Sequence, residues 1–111
     1  MNHVDLQVAR DTAAILCRSA GIPNSQIATF LGFAEESGAR KAVTRARARA
    51  SKDDKFAVND LADQVGHVLE EVLGELRNSR DTQLIRDVSI LVRILCVLRG
   101  ELRVEFFVNR P

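Results

Sequence analysis

A mainly α-helical fold is what this chain of 111 residues predicts, and three observations carry the prediction. Apolar residues recur three and four positions apart through most of the chain, Gly21, Pro23, Gly32 and Gly100 fall between those runs, and strand-like patterning is confined to residues 90–108. The expected organisation is a three-helix module over residues 1–52 followed by a two-helix core and dimerisation segment over 56–111, ending in a short β-strand. Apolar residues make up 46% of the chain and charged ones 28%, so burial can offset the ordering entropy of folding. A chain of this length also sits near the size at which isolated cores are modest and dimerisation supplements them.

Over residues 4–20, Leu6, Ala9, Ala13, Leu16, Cys17 and Ala20 recur at helical spacing, while Asp5, Gln7, Arg10, Asp11 and Arg18 fall elsewhere. Gly21 is suited to a left-handed cap that ends this first helix. Pro23 fixes φ for a new first turn, with Asn24 or Ser25 available to cap it, and Ile27, Ala28 and Leu31 share one face of a short second helix over residues 24–31. Gly32 then supplies the positive φ of a sharp turn, and Phe33 plugs the corner. In the third helix Glu35 and Glu36 sit where a helix N-terminus favours negative charge, and Ala39, Ala42, Val43, Ala46 and Ala50 form a slim apolar stripe. Small residues on the stripe permit close approach to neighbours, leaving Arg40, Lys41, Thr44, Arg45, Arg47 and Arg49 to project away.

Residues 51–55 are polar and read as a hinge. Leu61, Val65, Val68, Val72 and Leu76, widened by Leu69 and Leu73, mark a fourth helix over residues 58–77 whose other side is acidic through Asp60, Asp63, Glu70, Glu71 and Glu75. After a turn in which Ser79 or Asp81 can cap, residues 84–98 are apolar nearly all round, interrupted at Arg86, Asp87, Ser89 and Arg93. Such a helix is expected to be central, and it needs more partner surface than the first and fourth helices offer. That need points to a two-fold dimer packed through Leu84, Val88, Leu91, Leu95 and Leu98. Two readings of the chain end stay open: a helix followed by a strand with Leu102, Val104, Phe106 and Val108 on one side, or a hairpin pairing 90–98 with 101–108. A cap, a helical length and the Gly100 stop favour the first.

Several function classes find no support. Tyr and Trp are absent, which argues against stacking on single-stranded nucleic acid. His3 and His67 are far apart and Cys17 and Cys96 are isolated in apolar runs, so no metal site, cofactor or disulfide is expected, and the thiols read as reduced ones of a cytoplasmic protein without a secretory leader. Residues 84–98 are too short and too charged to cross a bilayer. No nucleophile setting or phosphate loop occurs, and Asp60, Asp63, Glu70 and Glu71 read as a solvated helix face, so no enzyme is expected.

The net charge of +1 conceals an asymmetry, because residues 1–55 hold nine Lys/Arg against six Asp/Glu while 56–111 hold seven against nine. Between Gly38 and Lys52 there is no acidic residue. Alone, that run reads equally well as a solvated face rich in good helix formers and as a surface for a phosphate backbone.

Gln26-Ile27-Ala28, Leu31-Gly32-Phe33, Ser37 and the basic helix together resemble the helix-turn-helix of prokaryotic transcription regulators, and within that class look closest to the AraC-like motif. Ala28, four residues before Gly32, is the small residue that lets two helices cross. The resemblance covers residues 23–49 and implies a helix-turn-helix module in which Glu36, Ser37, Arg40, Lys41 and Thr44 face the bases. Arg40 is the best base reader, because its planar fork suits guanine O6 and N7. Arg45, Arg47, Arg49 and Lys52 are then the phosphate contacts. The function implied is sequence-specific binding of double-stranded DNA by a homodimer that reads an inverted repeat. Repression is the simplest mechanism, since no sensor domain or ligand pocket is evident in the sequence. The rival class is a helical interaction module, such as an antitoxin, adaptor or anti-factor, whose basic helix meets an acidic protein partner. An RNA-binding helical module ranks third.

Overall fold

A computed structural model describes residues 3–51, 58–79 and 81–100. The chain folds as α1 (His3–Ser19), α2 (Asn24–Leu31), α3 (Glu36–Ser51), α4 (Val58–Asn78) and α5 (Thr82–Leu98). The mainly α class and each expected helix are present, and α5 runs unbroken through residues 90–98, which removes the hairpin alternative. The expected strand over 101–108, the hinge over 52–55 and Lys52 lie outside the described residues. No helix among the described residues is long and apolar enough to cross a membrane.

The central helix is α1 and not α5. It packs against all four other helices, whereas α5 packs against α1, α2 and α4. The reason is side-chain size: Ala9, Ala13 and Ala14 are fully buried, so neighbouring backbones approach α1 from several sides. Leu16, expected in the core, is 38% exposed, and Val8 and Ala14 are buried in its place. Asp11, expected on the polar side of the first helix, is completely buried. One cluster of buried side chains runs through all five helices, so the α1–α3 and α4–α5 segments share a core.

Local signals set the ends of the helices. Gly21, with φ +90°, ends α1 in the left-handed region as expected. At the start of α2 the Pro23 carbonyl accepts from the Gln26 and Ile27 amides, and no side chain caps this end. The Asn24 side-chain oxygen, an expected cap, is buried without a partner among the described residues. Asp81 does cap α5, accepting from the Gln83 amide at 2.8 Å.

The α2–α3 corner depends on Gly32. Gly32 adopts φ +77°, and a Cβ there would lie 2.5 Å from Cδ1 of Ile90 on α5, so a side chain at this position is strained by the backbone and must push the tip of Ile90 aside. The Phe33 amide closes the turn on the Ala28 carbonyl at 2.8 Å. Phe33 covers Gly38 of α3, where an added Cβ would meet the ring at 3.4 Å, an ordinary contact distance. The corner residues Gly32 and Phe33 therefore do what their types suggest, while Gly38 is not sterically required.

Two outcomes follow for stability. Gly32→Ala is expected to cost about 1–3 kcal/mol through left-handed strain and the push on Ile90, whereas Gly38→Ala should raise stability by about 0.5–1 kcal/mol, both measured by urea unfolding. The second concerns Cys17, whose thiol burial pushes its pKa from 9.0 up to about 11. The folded chain thus holds this proton more tightly than the unfolded chain, so the associated stability is complete below pH 9 and is lost as pH rises through 11. Relative to Cys17→Ala, the native chain should lose up to about 2–3 kcal/mol between pH 9 and 11 in parallel denaturant titrations.

Candidate nucleic-acid interface

The basic run lies on α3, and α3 is seated by its small residues. Ala39, Ala42, Val43 and Ala46 are buried against α1 and α2, as their spacing predicts. On the other side Glu36, Arg40, Lys41, Thr44 and Arg47 are exposed, and Ser37 is half-buried. Helical spacing places Arg40, Thr44 and Arg47 along one line, with Lys41 and Ser37 beside it, so these side chains share one face. Local bonds restrain two of them: the Thr44 hydroxyl donates to the Arg40 carbonyl at 3.0 Å, and the Ser37 hydroxyl donates to Glu35 at 3.4 Å. The Thr44 oxygen keeps its accepting capacity, and its hydroxyl proton is directed back into the helix.

The run divides where Arg45 begins. Arg45 turns toward α1 and grips Asp11 with two parallel bonds, Nε to Oδ2 and Nη2 to Oδ1, both 2.9 Å. Arg49, one turn further along, donates from Nη1 to Oδ2 of the same carboxylate at 2.9 Å. The Asp11 side chain is 1% exposed, while those of Arg45 and Arg49 remain 40% and 24% exposed. The hydrogen bonding of Arg45 to Asp11 is the main influence raising the Arg45 pKa, so this guanidinium stays charged. Arg45 and Arg49, expected as phosphate contacts, thus have a structural occupation that the sequence does not announce. Of the four expected phosphate contacts, Arg47 is the one the described structure leaves exposed on the outer face of α3.

Two further arginines hold the corner that presents α3. Arg10 of α1 donates from Nε to the Leu31 carbonyl at 3.0 Å and lies 3.8 Å above the centre of the Phe33 ring. Burial lowers its pKa, with the Asp11 charge working the other way. Arg93 of α5 donates to the Phe30 carbonyl at 3.3 Å and sits 5.3 Å from the Phe30 ring centre. Both reach carbonyls at the C-terminal end of α2, where unpaired acceptors and the helix dipole favour a cation. Nothing in the local pattern announces these roles, because Arg10 and Arg93 stand isolated in the sequence.

The expected dimer stripe is divided as well. Leu91 and Leu98 are buried within the chain's own core with Ile94 and Val97. Periodicity alone cannot tell which side of an apolar helix meets α1 and α4. Leu84, Val88 and Leu95 are half-buried, and Ile85 and Val92 are 50% and 40% exposed.

Between α1, α4, α5 and the Gly32–Phe33 corner lies a cleft of about 1040 Å³. Leu6, Val68, Val72, Ile90 and Ile94 supply its apolar walls, and Arg10, Arg86 and Arg93 also line it. The cleft draws on residues of five segments, because Arg45 of α3 lines it as well. Comparison with protein-family models, characterised proteins and solved structures found no match.

The division of the basic run is open to direct test by thermal or urea unfolding. Arg45→Ala should destabilise the fold by about 1–3 kcal/mol, because it leaves a buried carboxylate short of a partner, while Arg47→Ala should stay within about 0.5 kcal/mol of the native chain.

Proposed function

We propose that the protein binds double-stranded DNA through α3 as a sequence-specific, dimeric transcriptional regulator of helix-turn-helix type. The observation that carries this reading is the exposed face holding Arg40, Lys41, Thr44 and Arg47 on a helix seated behind a glycine corner. An α-helix fits the major groove, and side chains there combine base reading with phosphate attraction. Arg40, Lys41 and Ser37 face the bases, with Thr44 as an acceptor or methyl contact. Arg47 is the phosphate anchor. Arg45 and Arg49 set the angle of the helix in place of anchoring it. Repression by occupying a promoter is the simplest action, carried out in the cytoplasm of a prokaryotic cell.

Dimerisation uses the outer side of α5, with Val92 joining Leu84, Val88 and Leu95. Exposure of Val92 and Ile85 on that side supports this face over one containing Leu91 and Leu98. Two such protomers present two α3 helices to successive turns of a duplex, about 34 Å apart, which makes an inverted repeat the expected site.

Selection from a random duplex pool should enrich an inverted repeat. On that site Arg40→Ala should cost about 1–3 kcal/mol and relax one base pair per half-site, whereas Arg47→Ala should weaken all duplexes alike and flatten the salt dependence by about one unit per protomer. Absence of duplex binding even at low salt would overturn the reading in favour of a helical module that meets an acidic protein. Light scattering should report a dimer for the native chain, and Val92→Glu should yield a folded monomer. A native monomer at micromolar concentration would remove the two-fold arrangement.

A further inference from the structure

We propose that the cleft between α1, α4 and α5 is a binding site for an amphipathic carboxylate, an apolar chain or ring system ending in a carboxyl group. This goes beyond the DNA-binding reading and does not depend on it, because occupancy can be measured without DNA.

The volume of about 1040 Å³ suits a small molecule. Its walls have two characters. Leu6, Val68, Val72, Ile90 and Ile94 offer apolar surface, so an apolar chain leaves water when it lies there. The charged lining is weighted toward cations. Arg10, Arg45, Arg86 and Arg93 face two carboxylates, and one of these, Asp11, is already engaged by Arg45 and Arg49. The other acid, Asp87, accepts from the side-chain Nε2 of Gln83 at 3.0 Å.

Among the arginines, Arg10 and Arg93 use donors on the α2 carbonyls, and neither has a hydrogen-bonded carboxylate among the described residues. Arg86 is exposed and makes no hydrogen bond or ion pair among the described residues. It is the group that receives the carboxylate, within the field of the other two, while the apolar tail lies along Ile90, Ile94, Val68 and Val72. A guanidinium with free donors fits a carboxylate by two parallel hydrogen bonds. A cationic or neutral ligand of the same shape lacks that pairing.

Gly32 and Phe33 also line the cleft, and Ile90 rests on Gly32. An occupant therefore touches the corner that presents α3 and braces it against α5.

Calorimetric titration of the full chain with decanoate, decan-1-ol and decyltrimethylammonium, each below its aggregation limit, tests the site. Decanoate should saturate a single site per chain and raise Tm, since a ligand that prefers the folded state stabilises it. Decanol should bind at least about tenfold more weakly, and the cation more weakly still. Arg86→Gln, at an exposed helical position, should weaken decanoate by about three- to tenfold and leave decanol unchanged, with an unaltered far-UV spectrum showing that the fold persists. Equal affinity for the three probes, decanoate binding that does not saturate, or affinity for decanoate unmoved by Arg86→Gln would each overturn the proposal.

Discussion

A buried carboxylate decides how this protein is put together. Asp11 lies inside the most enclosed helix of the fold, where a lone charge would be far too costly to bury, and it is tolerated because α3 brings two guanidinium groups to it. The fork of Arg45 is directional, so the pairing fixes the rotation of α3 about its own axis as well as its depth against α1. Once that rotation is set, Ala39, Ala42, Val43 and Ala46 must face inward, and Arg40, Lys41, Thr44 and Arg47 must face solvent. The clamp also divides the charge of the basic run between holding the fold and meeting a partner.

The corner before α3 is held from both sides by the same residue type. Arg10 and Arg93 reach neighbouring carbonyls at the end of α2 from α1 and α5, and each lies over a phenylalanine ring. These contacts supply donors to carbonyls that the end of a short helix otherwise leaves unpaired, and they tie α5 to the corner. They also leave cationic groups along the edge of an apolar cleft. The candidate DNA face and the proposed ligand site therefore share a border at Gly32 and Phe33, though they sit on different elements.

What could be read in the sequence was what local physics determines. The helices, the Gly21 and Gly32 turns, the Asp81 cap and the apolar stripe of α3 all follow from spacing and backbone preference within a few residues. The exposed positions of Glu36, Arg40, Lys41, Thr44 and Arg47 were legible for the same reason, since they are what an Ala-lined stripe leaves outside. Partners distant in sequence were not legible. Asp11 sits 34 and 38 residues before the arginines that neutralise it, so its type argued for solvent. Leu91 and Leu98 belong to a helix apolar on nearly every side, and which side is covered depends on where α1 and α4 lie. The cleft was hidden likewise, because α1, the corner, α4 and α5 must come together before it exists.

The central claim is that Asp11 and Arg45 act as one unit that orients α3, and a double-mutant cycle on unfolding free energy tests it most directly. Asp11→Ala, Arg45→Ala and the double variant should give a coupling of about 1–3 kcal/mol, with the double variant less destabilised than the sum of the single ones. A coupling indistinguishable from zero would contradict the account, because the two side chains would then contribute independently and the orientation of α3 would have another cause.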